Sequence, residues 1–272
     1  MVFTRKEIAT LILTNLESNN AVLKKQFAAH KNEIGFFYLD DLLPNNLALE
    51  IHNNFPKTKD TVQRKSIREK KYTAFQMDKY NSLLEEVTYA FQDKRVVKLV
   101  SEICNIDAVF PDKNLYAGGL SLMAKDNFLN PHLDNSHDKD RNRWRVLNLL
   151  YYTTPDWEQE NGGNLEVWPK GLQEKQITIT SKFNRLVVMT THNKSWHSVS
   201  KVTVDKVRCC VSNYYFSDNP LLDSDSFHVT TFRGRPTEKL KDFILQIDNN
   251  LRSFVRKLFK KGIRENPHQY KK

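Results

Sequence analysis

The chain has 272 residues, room for one large domain with a sizeable core, and its 39% hydrophobic and 11% aromatic content suits a folded soluble protein. A formal net charge of +10, from 42 Lys and Arg against 32 Asp and Glu, favours an acidic partner and is met equally well by solubility alone. Three cysteines, Cys104, Cys209 and Cys210, exclude a disulfide framework and imply a reducing compartment; with no apolar run of membrane-spanning length and no apolar leader segment, a cytoplasmic protein is expected.

Thr4-Arg5-Lys6-Glu7 reads as a capping box opening a helix that carries Ile8, Leu11, Ile12 and Leu16 at helical spacing. Asn20 caps a second helix with Leu23 and Phe27, which stops before Gly35. Gly35 to Leu39 reads as a short strand, and Pro44-Asn45 turns the chain into a helix through Leu47, Ile51 and Phe55. From Lys57 to Lys71 seven Lys and Arg face only Asp60 and Glu69 without apolar periodicity, so this segment reads as an exposed, mobile loop. Two helices follow, Tyr80 to Phe91 and Lys94 to Cys104.

From about Asn114 the texture changes to strands. Leu115 to Met123 leads into Pro131-His132-Leu133-Asp134-Asn135, and Arg145 to Thr153 is a nearly continuous strand buried on both faces. Asn164 to Trp168, Ile177 to Ile179, Leu186 to Met189, Trp196 to Val199 and Val207 to Phe216 follow, separated by turn residues. Many short strands of this kind indicate a sandwich or barrel. Thr237 then caps a C-terminal helix in which Leu240, Phe243, Ile244, Ile247, Leu251, Phe254, Val255 and Leu258 form one apolar stripe, expected to pack on the sheet. Lys260, Lys261 and Gly262 close it, and Arg252, Arg256 and Lys257 give it a basic face.

The chemistry-bearing residues lie in the strand half. Residues i and i+2 of a strand point to one side, so His132 and Asp134 can reach one ion together, with His197 closing the triangle from a distant strand. Two imidazoles and one carboxylate suit a mononuclear iron(II) site with open positions. Arg208, eleven residues past His197, supplies a permanent cation able to hold a carboxylate bidentately. His137-Asp138 is a rival ligand pair in a polar stretch, and Arg145 and Arg185 are rival anion clamps. His192 reads as a loop histidine, and Cys209 and Cys210 as small core residues.

In order and spacing the segments from Leu120 to Phe216 resemble the iron(II)- and 2-oxoglutarate-dependent oxygenases, specifically the prolyl 4-hydroxylase-like branch. The matching residues include Pro131 to Asn135, Leu149 to Tyr152, Gly162 to Trp168, Phe183 to Val188, Trp196 to Val199 and Arg208 to Phe216. One departure is Met123, which stands where relatives often have a tyrosine, and the glycine of that context is absent.

The resemblance implies a mainly β chain with helical additions, an α+β arrangement in which a double-stranded β-helix (a jelly-roll or cupin-like barrel) is flanked by N-terminal helices and a long C-terminal helix. It implies one domain over 1–272, with mainly helical support in 1–110, the barrel in 111–218 and an extension in 219–272. It implies Fe(II) held by His132, Asp134 and His197, with 2-oxoglutarate and O2 as co-substrates. Arg208 would pair with the far carboxylate of 2-oxoglutarate and Tyr152 would add a hydrogen bond. Asn148 and Leu150 share the inward face of Tyr152, and Tyr214 shares that of Arg208, so all five would line the co-substrate pocket.

The implied reaction is hydroxylation of an unactivated C–H bond coupled to oxidative decarboxylation of 2-oxoglutarate to succinate and CO2. The substrate is a small molecule or, alternatively, a protein side chain gripped by segment 57–71 as a lid, and an acidic substrate would suit the charge. A non-enzymatic metal-binding or basic nucleic-acid-binding module ranks last, because no nucleic-acid motif is present. Substrate identity and oligomeric state are left open.

Overall fold

Short runs of β-branched and aromatic residues between turns cannot bury both faces alone, and here they pair into one curled antiparallel sheet. The computed structural model of the chain describes residues 3–259 and 269–270. Its strands are β1 (Phe36–Leu39), β2 (Val62–Lys65), β3 (Glu69–Ala74), β4 (Val109–Pro111), β5 (Gly119–Met123), β6 (Phe128–Leu133), β7 (Trp144–Tyr152), β8 (Leu165–Val167), β9 (Ile177–Ile179), β10 (Arg185–Thr190), β11 (His197–Val199), β12 (Arg208–Ser217) and β13 (Thr231–Phe232). The main path runs β1-β10-β7-β12-β5-β3-β6-β11-β8-β9, with β2, β4 and β13 attached to β3, β12 and β6. This is the expected jelly-roll-like barrel.

Alternation along the long central strands sorts the core into two sides. Leu149 and Tyr151 of β7, with Cys209 and Val211 of β12, face a large cluster shared with the helices. Tyr152 and Cys210, one residue on, face the barrel interior with Val167, Val187 and Met189. Neighbouring Cys209 and Cys210 thus serve opposite cores, as small packing residues should.

The helices α1 (Arg5–Ser18), α2 (Asn20–His30), α3 (Asn45–Asn53), α4 (Ser82–Ala90) and α5 (Lys94–Cys104) cover the outer side. The Thr4/Glu7 capping box is formed, whereas Asn19, not Asn20, occupies the cap position of α2 and makes no side-chain cap. Arg185 binds Asp40 through Nε and Nη2 at 2.5 and 3.0 Å, which fixes it as a structural residue. Leu115 precedes the strand expected to begin there: the Asp112 carboxylate accepts the N–H groups of Tyr116, Ala117 and Gly118, and pairing starts only at Gly119.

Two expectations are corrected. The segment 57–71 is not a loop: a 3-10 turn at Thr58–Asp60 leads into the β2–β3 hairpin, registered Val62↔Thr73 to Lys65↔Lys70. Strand β3 pairs through Tyr72–Ala74 with β5 and through Glu69 and Lys70 with β6, so it joins the two halves of the barrel. Its order comes from backbone ladders, which polar side chains do not advertise. Second, the apolar stripe of α6 (Lys239–Leu258) does not pack on the sheet: Leu240 is 75% exposed, Phe243 60% and Leu251 63%. The opposite face docks instead, by buried Leu245 and by polar contacts. Asn249 bonds both backbone groups of Phe232, Arg233 pairs with Asp242 at 2.6 Å, and Arg252 donates to Thr230 O at 2.8 Å. Periodicity identifies an apolar face but not what covers it. The N-cap is Glu238 rather than Thr237, and Lys260, Lys261 and Gly262 lie outside the described residues. Among those described, no helix is long and apolar enough to cross a membrane.

Candidate metal centre and co-substrate pocket

Strand β6 carries His132 near its end and Asp134 one residue beyond it, and β11 opens with His197. The two histidines sit directly opposite each other in the β6–β11 ladder, ring centroids 4.1 Å apart. His132 Nε2 lies 3.7 Å from Asp134 Oδ1, and His197 Nε2 lies 3.6 Å from Asp134 Oδ2. One ligand atom from each residue falls within 4.8 Å of the others, and all three side chains are buried.

Hydrogen bonding leaves the ligand atoms available. His132 Nδ1 lies 2.9 Å from Asn130 O and His197 Nδ1 lies 2.9 Å from Ser195 O. A carbonyl only accepts, so each Nδ1 carries a proton and each ring turns its Nε2 inward. Burial, with His197 adding to it, pushes the pKa of His132 down to about 3, which keeps the imidazole neutral as a ligand must be. Burial raises the pKa of Asp134, but His197, Arg145 and His132 outweigh it and hold the carboxyl below its ordinary value. Asp134 Oδ2 is buried without a hydrogen-bond partner among the described residues. An orphaned carboxylate oxygen facing two Nε2 lone pairs is costly unless a cation sits between them. The site fits a divalent metal of the iron(II) type, held on one face.

On the interior side, Arg208 opens β12 opposite Met123 of β5. Its guanidinium is held loosely, with Nη1 3.3 Å from Gly163 O, Nη2 3.4 Å from Ser121 Oγ and its carbon 5.3 Å from the Tyr152 ring centroid. Among the described residues Arg208 Nε is buried without a hydrogen-bond partner, and the buried Tyr152 hydroxyl has Ser181 beside it. The Ser181 hydroxyl donates to Gly163 O at 2.7 Å and keeps lone pairs able to accept from the Tyr152 phenol. Burial pushes the Tyr152 phenol well above its usual range, so it stays a donor. An unsatisfied donor on a buried cation, with a phenol beside it, fits a carboxylate. Gly163 permits the approach: at φ +65°, a Cβ there would meet Arg208 Cδ at 3.3 Å and Val202 Cγ2 at 3.1 Å.

The remaining expected residues form a row. Tyr152 and half-buried Leu150 belong to the interior cluster beside Arg208, whereas Asn148 donates to the Tyr214 hydroxyl at 3.2 Å across the β7–β12 ladder. Tyr214 therefore lies further out, under the Arg145 guanidinium at 4.4 Å. The rivals are also placed. His137 packs on Trp144 and meets Ser136 Oγ at 2.8 Å, outside the triad. Arg145 approaches Asp134 Oδ1 at 3.6 Å, whereas Arg208 lies beside the Tyr152 ring.

A cavity of about 780 Å³ opens onto His132 and Asp134. The hairpin walls it with Arg64, Arg68, Glu69 and Lys71, the segment 227–232 forms a second wall, and Leu251, Arg252, Val255 and Arg256 of α6 close over it. The sequence places Arg256 on the basic face of the C-terminal helix, where it could touch an anion, but does not bring it together with Arg141 and His228, because three unrelated elements supply them and no spacing connects them.

Residues 118–216 match the family described as the 2OG-Fe(II) oxygenase superfamily. Among solved structures the chain is similar to a Trichoplax adhaerens prolyl hydroxylase (19% identity, TM-score 0.51, covering 74% of this chain and 92% of that one). It is also similar to a Pseudomonas putida prolyl-4-hydroxylase (14%, 0.52, 73% and 98%) and a Phytophthora capsici prolyl 4-hydroxylase (16%, 0.56, 96% and 80%). At these identities the likeness is one of fold. No curated protein sequence matches the chain.

Proposed function

We propose that this chain, whose residues 118–216 carry the match to the 2OG-Fe(II) oxygenase superfamily, is a hydroxylase of an unactivated C–H bond, coupled to decarboxylation of 2-oxoglutarate to succinate and CO2. The observation that carries this reading is the combination of two unsatisfied sites in one barrel: the Asp134 carboxylate, with Oδ2 orphaned among the described residues and one oxygen near each inward-facing Nε2, and the orphaned Arg208 Nε beside the Tyr152 phenol. Iron(II), 2-oxoglutarate and O2 together supply an oxidant strong enough for such a bond.

The protein's own residues place and enclose. His132, Asp134 and His197 would hold the metal through two imidazole nitrogens and one carboxylate, a donor set that suits iron(II). Arg208 and Tyr152 bind the far carboxylate of the co-substrate, whose burial without a cation would cost several kcal/mol. Leu150 supplies apolar wall to the same pocket. Asn148 holds the Tyr214 hydroxyl across the β7–β12 ladder, and Tyr214 lines the outer cavity, where the substrate would lie. The buried strands keep water from the reacting atoms.

A peptide substrate is the second reading, favoured by one feature: the β2–β3 hairpin, which puts Arg64, Arg68 and Lys71 along one wall of the cavity. The test of the oxygenase reading is succinate release with purified protein. Release that requires iron(II), O2 and 2-oxoglutarate together supports it, and release indifferent to any one of them contradicts it.

A further inference from the structure

The outer cavity carries an imbalance that the metal and co-substrate do not use. Seven Arg and Lys side chains line it against three carboxylates, Glu69, Asp134 and Asp138. Several cations are already matched. Lys71 pairs with Glu69 at 3.0 Å, and Arg68 and Arg252 share Asp248 at 3.5 and 2.9 Å. Asp138 is occupied by the Asn142 N–H at 2.8 Å.

Four guanidiniums are left over. Among the described residues, Arg64, Arg141 and Arg256 have no carboxylate within 4 Å, and Arg145 reaches only Asp134, which the metal would share. Arg145 is 5% exposed, and its Nε has no partner. Arg141 is pinned in place: it stacks on Phe227 at 3.9 Å and donates to Arg256 O at 2.9 Å, yet its own buried Nε has no partner. Burial and then the charge of Arg256 press the pKa of Arg141 down, a sign of cations crowded without a counter-ion. A bound divalent metal would add further positive charge at the cavity floor. Like charges held together at low dielectric are costly unless an anion joins them.

We propose that the substrate is anionic and that an oxyanion group, a phosphate, sulfate or carboxylate, docks among Arg141, Arg145 and Arg256 in the outer cavity. This inference rests on the oxygenase reading for the word substrate, but the anion site itself stands on the cavity alone. Guanidinium groups suit the task because their fork of N–H donors matches two oxygens of one anion. The stacked, hydrogen-bonded Arg141 is already ordered, so little freedom remains to be lost on binding.

The test is calorimetric titration of the intact protein, anaerobic with iron(II) and 2-oxoglutarate, at ionic strength held constant with chloride. The probes are inorganic sulfate and acetate. Saturable binding of either supports the inference; preference for sulfate points to a tetrahedral oxyanion, and preference for acetate to a carboxylate. Arg141→Ala and Arg256→Ala should each weaken binding roughly tenfold, the worth of one charged hydrogen bond. Arg141→Lys, which keeps the charge but not the fork, should recover part of it, and Lys98→Ala on the outer helix α5 should change nothing. Heats that match chloride alone, or binding unaltered in Arg141→Lys, Arg141→Ala and Arg256→Ala, would overturn it. The visible band of the metal–2-oxoglutarate chelate, read in the same samples, separates the two claims. Band without anion binding sinks only the anion site, and anion binding without the band sinks only the oxygenase reading.

Discussion

His132 and His197 occupy directly opposed positions on β6 and β11, and each presents its Nε2 because a backbone carbonyl two residues earlier holds its Nδ1–H. The sheet register therefore fixes both the distance between the rings and the tautomer of each. The Asp134 carboxylate completes the set from just beyond β6, with one oxygen near each ring.

Removal of the carboxylate should abolish metal retention. Asp134→Ala is expected to weaken iron(II) or manganese(II) binding by at least about 100-fold, since second-shell changes alone cost up to that much. Isothermal titration with manganese(II) checks this. Because buried Arg145 also loses its carboxylate in this variant, a urea midpoint on the same protein separates lost metal binding from lost folding.

The co-substrate clamp separates from the metal site. Arg208→Ala should raise the Kd for 2-oxoglutarate by about 100-fold while leaving metal affinity unchanged, from loss of two charge-assisted hydrogen bonds. Tyr152→Phe, which removes one neutral donor, should cost about fivefold. Equilibrium binding of labelled 2-oxoglutarate to the manganese-loaded protein reads both.

Gly163 is held at φ +65° beside the Arg208 side chain. Gly163→Ala is expected to destabilise the fold by about 1–2 kcal/mol from the left-handed backbone. Crowding of Arg208 Cδ should also weaken 2-oxoglutarate binding. Urea denaturation and the same binding assay would show both effects, and wild-type behaviour in both would contradict the contact.

Acid sensitivity has a defined contributor away from the metal. Burial pushes the pKa of His192 down to about 4, and its Nδ1 accepts the Lys194 N–H at 3.2 Å. Below the unfolded value of about 6.5 the unfolded chain binds the proton first, so stability falls as pH drops from 6.5 toward 4. His192→Asn should flatten that part of the stability profile, measured by urea midpoints between pH 7 and pH 5.

Much of the site was legible because its logic is local. The His132-x-Asp134 spacing places two ligands on one side of a strand, and the resemblance singles out Tyr152 on β7 and Arg208 on β12, which lie beside each other. The tautomers were not legible, because the acceptors are the carbonyls of Asn130 and Ser195, and any residue carries a carbonyl. The β2–β3 hairpin escaped because its pairing partners, Leu120 to Leu122 and Leu129, lie far along the chain and its own side chains are mostly polar. The outward stripe of α6 escaped for the opposite reason: its pattern is strong, but burial is a tertiary fact. Arg141 and Arg256 converge on one cavity from a loop and a helix more than a hundred residues apart.

The most direct measurement is an anaerobic titration of the purified protein with iron(II) and then 2-oxoglutarate, followed in the visible range. Formation of a saturable charge-transfer band in wild type, lost in Asp134→Ala and shifted to much higher 2-oxoglutarate concentration in Arg208→Ala, is the expected result. A wild-type protein that binds neither iron(II) nor 2-oxoglutarate, or a band untouched by both substitutions, would contradict the assignment of His132, Asp134, His197 and Arg208 to one centre.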